Sequence, residues 1–254
     1  RKHYGVYPIR GKFLNCRGME AKAIAQNKEA GELLRILGVQ LGHSYTREEA
    51  LRLPYRHMTI LSDQDVDGSH IAGLLLNFVA VCAPSLLAVL PDFVRRFATA
   101  LIRVPQGGGK PDLCFYTEEE FTKARDEGRA RGKPAYYKGL GTSSSAQAKG
   151  YFKELELNTI TLRRDGAACE DALDLFFNAR RSNDRKDELT KGDAAPLPPI
   201  DYSQPATTHG AFVMQELLPS YARASLERAI MRLEDGLKPS GRKALFAARK
   251  LLRE

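Results

Sequence analysis

Cysteine is scarce in this chain. Four occur in 254 residues, at Cys16, Cys82, Cys114 and Cys169, and no CxxC pair exists. A structural zinc site needs clustered thiolates, so none is expected. A chain of this length with so few cysteines is no disulfide scaffold either, and a reducing, intracellular compartment follows. Nothing near the first residue, Arg1, reads as a signal peptide, and the absence of a starting methionine leads us to expect a piece of a longer protein.

Other features are missing in informative ways. The glycine-rich stretch Pro105–Lys110, PQGGGK, lacks the GxxxxGK[ST] spacing of a phosphate-binding loop, because Pro111 and Asp112 follow Lys110. It reads as a hairpin tip, and no ATP site is expected in the chain. One run without formal charge, Ile71–Leu90, is twenty residues long, enough to cross a bilayer. Asn77 lies inside it and Pro84-Ser85 breaks it, so two consecutive buried helices are expected, about 69–82 and 85–90, and no membrane span.

Acids are absent from residues 1–17, which hold five Lys/Arg, and residues 221–254 hold nine Lys/Arg against four acids. Each end is therefore +5 within a total of +8, and the middle is −2. Two basic ends suggest a polyanion touched by both; a pair of solvated charged faces remains the alternative.

Hydrophobic residues make up 43% of the chain, enough to build one large domain or two modest ones. Residues 1–17 read as turn and short strand. A helix is expected over 19–37, ending at Gly38, and a buried strand over 57–62. A hairpin over 99–104 and 113–117, a strand at 135–138, a helix at 144–155, a strand at 159–163 and a helix at 170–180 complete an α/β pattern with a largely parallel sheet flanked by helices. Prolines and alternating charges over 182–205 read as a linker, and 210–254 reads as helical.

The densest chemistry lies in LSDQDVDGSH, Leu61–His70. Asp63, Asp65 and Asp67 occupy every second position. In a strand such residues share a face, with Cα atoms about 6.5 Å apart, and strand ends in α/β sheets are where ligands bind. Two carboxylates about 5 Å apart repel by roughly 3 kcal/mol at an effective dielectric of 20. Three want protons, a basic partner or a metal. Oxygen ligands favour a hard cation such as Mg²⁺. An EF-hand is excluded because Leu74 stands where its Glu would be; an acidic turn capping a helix at Ser69 stays open. Tyr136–Ser145, YYKGLGTSSS, could form an anion nest with Lys138, or simply a turn capping the next helix. Asp235–Phe246, DGLKPSGRKALF, sets Lys238, Arg242 and Lys243 around a helix start, a setting that suits phosphate or a solvated basic helix.

In order along the chain, YGVYPIRGKFLN, SDQDVDGSHIAGLLLNF, YYKGLGTSSSAQAKGYF, NDRKDEL and DGLKPSGRKALF resemble motifs of type II DNA topoisomerases, the eukaryotic and viral branch in particular. The resemblance implies a TOPRIM domain over 1–181, lacking its first strand and Glu motif, a linker over 182–209, and the beginning of a winged-helix DNA-binding region over 210–254. It implies that Asp63 and Asp65 hold Mg²⁺ beside the scissile phosphate, with Asp67 in support. It implies DNA contacts at Arg10, Lys12, Asn15, Lys138, Arg185, Lys186, Lys238, Arg242 and Lys243. The partners implied are double-stranded DNA and a second copy in a homodimer, and the location an intracellular one: the nucleus first, then an organelle or a virus factory. The metal-binding Glu and the ATP-binding region would precede Arg1. The nucleophilic tyrosine would follow Glu254, because Tyr221 precedes the last motif. Gly241, Glu188 and Met231 depart from the pattern and mark a divergent member. The runners-up are another TOPRIM enzyme of nuclease or primase type, and a DNA-binding module with vestigial acids.

Overall fold

The computed structural model describes residues 4–108, 110, 112–137, 149, 152–153, 155–156, 158–191, 197–198, 200–202 and 204–252. Among these, the strands are β1 (Met58–Leu61), β2 (Val94–Phe97), β3 (Ile102–Val104), β4 (Leu113–Phe115), β5 (Ala135–Tyr136), β6 (Thr159–Arg163) and β7 (Ala206–Thr208). They form one sheet in the order β1-β2-β6-β7 and a second in the order β4-β3-β5. In the first, β1/β2 and β6/β7 are parallel but β2/β6 is antiparallel. Two of its three pairings are thus parallel, as expected, and one is antiparallel. β2 was not foreseen, because Arg95-Arg96 interrupts its apolar run.

The helix expected over 19–37 is two, α1 (Ala21–Gln26) and α2 (Lys28–Leu37). Asn27 divides them: its extended backbone breaks the first and its side chain accepts the Ala30 N–H to start the second. Gly38, at φ 70°, ends α2 in the left-handed region. A short α3 (Arg47–Leu51) follows, capped by Thr46 and Glu49. The uncharged run splits at Ala83–Pro84, as its proline demands, into α4 (Val66–Cys82) and α5 (Pro84–Val89). No helix among the described residues is long and apolar enough to cross a membrane. Asn77, fully buried within α4, is satisfied by Arg17 Nε at 3.0 Å and by Asn15 Oδ1 at 3.2 Å.

The expected hairpin is present as β3 and β4, paired antiparallel. With α6 (Glu118–Asp126) it encloses a small separate core of Ile102, Val104, Phe115 and Phe121. The helix expected at 144–155 and the end of the strand at 135–138 fall mostly outside the described residues.

After β6 come α7 (Gly166–Phe177) and α8 (Ser182–Thr190), then β7, α9 (His209–Ala211), a π-helical run Phe212–Ala222, α10 (Arg223–Ala229) and α11 (Pro239–Leu251). The stretch expected as linker thus holds a helix and a sheet strand. Beyond it, Phe212, Val213 and Leu217 are buried in the main core. Leu217 lies so close to α4 that a Cβ at Gly73 would stand 2.6 Å from its Cδ1. By contrast, α11 leaves Leu245 and Phe246 exposed.

One charge is buried in this core. Arg96, on β2, has no solvent exposure, and its Nη1 donates to Glu216 at 2.5 Å and to Tyr202 Oη at 2.6 Å. Burial works against its charge, but Glu216 and then Tyr202 outweigh that and raise its pKa above the ordinary value. An unpaired buried cation is far costlier than a paired one. Glu216→Ala is expected to lower the unfolding free energy by about 3–5 kcal/mol, and the apolar pair Arg96→Met with Glu216→Leu to recover most of that loss. Urea titrations of the three proteins check this.

His209 is buried as well. One ring nitrogen meets the Leu162 carbonyl at 3.0 Å, and Nδ1 has no partner among the described residues. Burial, opposed by that hydrogen bond and aided by Arg164, lowers its pKa from 6.5 to about 4. Below pH 6.5 the unfolded chain binds a proton that the native imidazole refuses. The contribution of His209 is therefore complete above pH 6.5 and lost as pH falls towards 4, at up to about 1.4 kcal/mol per pH unit. Urea midpoints measured over that range should fall more steeply for the wild type than for His209→Gln.

Candidate functional site

The C-terminal end of β1 leads straight into the three acids, but they do not share a strand face. The strand stops at Leu61, and the acids sit in three settings: Asp63 in the turn, Asp65 at the N-cap of α4 and Asp67 in its first turn. The reason is local hydrogen bonding. Asp65 Oδ1 accepts the Gly68 N–H at 2.8 Å and so begins the helix one residue after itself. Ser69, the alternative cap, instead lies inside the helix. Ser62 Oγ donates to the Gly68 carbonyl at 2.9 Å and closes the turn. Gly68 packs so tightly that a Cβ there would stand 1.9 Å from the Asp63 carbonyl oxygen. Gly68→Ala must open the turn, and its expected cost is about 1–3 kcal/mol, read as a lower thermal midpoint with the acidic turn losing amide protection.

Asp63 and Asp65 are exposed at the positive end of α4. Their carboxylates offer oxygen alone, which fits a hard divalent cation. Among the described residues no group of three or more His, Cys, Asp or Glu is placed to hold a metal. Two carboxylates are fewer donors than such an ion takes.

Asp67 faces two cations. Arg228 reaches it through both terminal nitrogens, at 2.6 and 3.2 Å, and Lys12 Nζ lies 3.1 Å away. The hydrogen bonds from Arg228 and then Lys12, against the opposing effect of burial, lower its pKa to about 2. Lys12 also donates to Tyr221 Oη at 3.0 Å, and these contacts raise its own pKa despite partial burial. The Tyr221 ring stacks on His70, with centroids 3.8 Å apart and planes 8° from parallel. Burial first, then the charge of Lys12, lowers the His70 pKa to about 4, so the stacked imidazole is neutral at pH 7.

The remaining expected contact residues scatter. Arg10 is exposed, and its backbone N–H meets Glu29 at 3.3 Å. Asn15 donates to the Phe177 carbonyl at 2.8 Å and accepts from Asn77, so its amide braces α4 against α7. Arg185 Nη1 caps the end of α7 through the Leu175 and Asn178 carbonyls, at 2.8 and 2.7 Å. Lys186, Lys238 and Lys243 are exposed, Lys238 at the N-cap of α11. Arg242 forms a two-point pair with Asp235 at 2.7 and 2.8 Å. Lys138 lies outside the described residues. Of the whole set, the described contacts join Lys12 to Asp67.

Sequence reasoning did not find Arg228, His70, Ser69, Arg96, Tyr202 or Glu216. The motif Leu61–His70 contained two of them, but their partners are far away along the chain.

A family model described as the C-terminal associated domain of TOPRIM matches residues 97–224. DNA topoisomerase 2 of Arabidopsis thaliana is 39% identical over 247 residues, and human DNA topoisomerase 2-alpha is 37% identical over 259. This chain belongs to the type II DNA topoisomerases. The two alignments cover 96% and 97% of it but only 16% and 17% of those topoisomerases. A crystal structure described as the DNA-binding, cleavage and re-ligation domain of Plasmodium falciparum topoisomerase II matches with a TM-score of 0.82 at 33% identity, over 96% of this chain and 33% of that one.

Proposed function

We propose that this chain is part of the DNA-cleaving core of a type II topoisomerase, which passes one duplex through a transient break in another. The acidic turn carries the reading: two exposed carboxylates at a helix N-terminus, at the end of β1, in a chain that matches a topoisomerase cleavage domain along nearly its whole length. Asp63 and Asp65 would hold Mg²⁺, completed by a carboxylate from a preceding segment. The ion, when bound, would stabilise charge on the phosphoryl oxygens of the scissile bond. Asp67 supports the turn by engaging Lys12 and Arg228.

Arg10, Lys12, Lys138, Lys186, Lys238, Arg242 and Lys243 would touch the DNA backbone, while Asn15 and Arg185 shape the surface beside them. In this reading the nucleophilic tyrosine, the ATP site and the homodimer interface belong to other segments of a nuclear enzyme. Tyr221 is not the nucleophile in this reading, because it precedes the last motif. The domain division we infer keeps the TOPRIM and winged-helix assignment but extends the first unit through the π-helical run.

In the full-length enzyme, Asp63→Asn or Asp65→Asn should suppress Mg²⁺-dependent plasmid cleavage while DNA affinity holds. Normal cleavage by both variants would sink the metal assignment. If six cations engage phosphates, log K should fall with log salt at a slope of about −5, and Lys12→Ala should make it shallower by about one unit. Asp67→Asn releases Lys12 and Arg228 and should tighten binding. Fluorescence anisotropy on unrelated duplexes reads all of these. A flat salt dependence or strong preference among duplexes would favour a different kind of module.

A further inference from the structure

Behind the acidic turn lies a buried polar network drawn from four segments. Arg96 comes from β2, Ser69 from the first turns of α4, Tyr202 from the chain before β7 and Glu216 from the π-helical run. Arg96 Nη2 donates to Ser69 Oγ at 2.9 Å, and Nη1 donates to Glu216 and Tyr202. Tyr202 Oη donates to the second Glu216 oxygen. Ser69 Oγ lies within reach of both Glu216 Oε1 and the Asp65 carbonyl oxygen, the latter at 3.0 Å. Its single proton serves one of these at a time.

Ser69 thus touches both the network and the acidic turn, and Gln64 of that turn also meets the Tyr202 hydroxyl. The core side of the network is closed to solvent: Arg96 and Ser69 are buried, and the guanidinium also lies 5.6 and 5.5 Å from the centres of the Tyr202 and Phe212 rings. The solvent side is the N-cap that carries Asp65. Stability alone would not require this arrangement, because a buried ion pair is often replaceable by apolar residues without loss. A polar network instead fixes one geometry and rejects near alternatives.

We propose that Arg96 and Glu216 are positioning residues for metal binding, acting through the Ser69 hydroxyl to hold Asp65, and with it Asp63, at the spacing a divalent cation needs. This rests on the reading of those two acids as metal ligands. Groups that orient ligands in this way typically change metal affinity by tenfold or more when removed.

The test uses the full-length enzyme and Mn²⁺, whose free concentration is read directly by electron paramagnetic resonance, alongside the Mg²⁺ dependence of plasmid cleavage. Ser69→Ala deletes the hydroxyl that joins the network to Asp65 and leaves the Gln64–Tyr202 contact in place. It is expected to weaken Mn²⁺ binding on the order of tenfold, to raise the half-saturating Mg²⁺ by a similar factor, and to leave DNA affinity unchanged. Its thermal midpoint should move by no more than a few degrees. Ser69→Thr, which keeps the hydroxyl, should stay near wild type. Equal weakening in both variants would show that packing matters rather than the hydroxyl, and would overturn the proposal. So would unchanged metal affinity in Ser69→Ala where Asp63→Asn abolishes binding; the metal assignment would then stand without the network. If Asp63→Asn and Asp65→Asn leave Mn²⁺ binding intact, the metal assignment falls and the proposal with it.

Discussion

A guanidinium with no access to water dominates the arrangement of this molecule. Arg96 sits in the middle of a mixed sheet, between β1 and β6, on a strand with otherwise apolar inward residues. Such a charge is tolerable only beside an opposite charge and with most of its donors satisfied, and here Nε alone of its three nitrogens has no partner among the described residues. Glu216 supplies the charge and Tyr202 and Ser69 supply acceptors. Because these come from widely separated segments, meeting the demand of one side chain draws the π-helical run against α4 and the sheet. The apolar contacts of Leu217 and Phe212 then fill the space around it.

The same logic of charge governs the acidic turn, with the opposite sign. Three carboxylates in five residues would repel one another strongly if all faced the same way. The chain avoids this by separating their roles. Asp65 takes a helix cap, where the helix end favours negative charge. Asp67 turns to Lys12 and Arg228, which come from the two basic ends of the chain. Asp63 and Asp65 remain as the exposed pair. The basic excess at both ends, visible as a bare count, thus has a specific use: one cation from each end meets on one carboxylate.

Much of the local structure was legible because its causes are local. The break at Pro84, the stop at Gly38, the glycine hairpin and the strand running into the acids each follow from residue types within a few positions. The division at Asn27 was missed although its cause is also local, because the apolar period runs on across it and a cap in mid-pattern looks like a surface residue. β2 and β7 were missed for another reason. A strand with two arginines or a three-residue ATT segment has little intrinsic signal, and its identity comes from the partner strand that supplies its hydrogen bonds.

The sequence by itself determined the family, the order of its motifs, the position of the acidic turn and the excess of positive charge at both ends. These depend on residue identity and on spacing over a few residues, which survive intact in the linear chain. The tertiary structure alone decided that residues 206–218 complete the first core instead of leaving it, that Asp67 is neutralised by Lys12 and Arg228, and that Arg96, Ser69, Tyr202 and Glu216 form one network. Those pairings join residues up to 161 positions apart. No local pattern encodes such a distance, and which charges meet is settled only when the sheet and helices pack and leave a buried ion one place to find its partner.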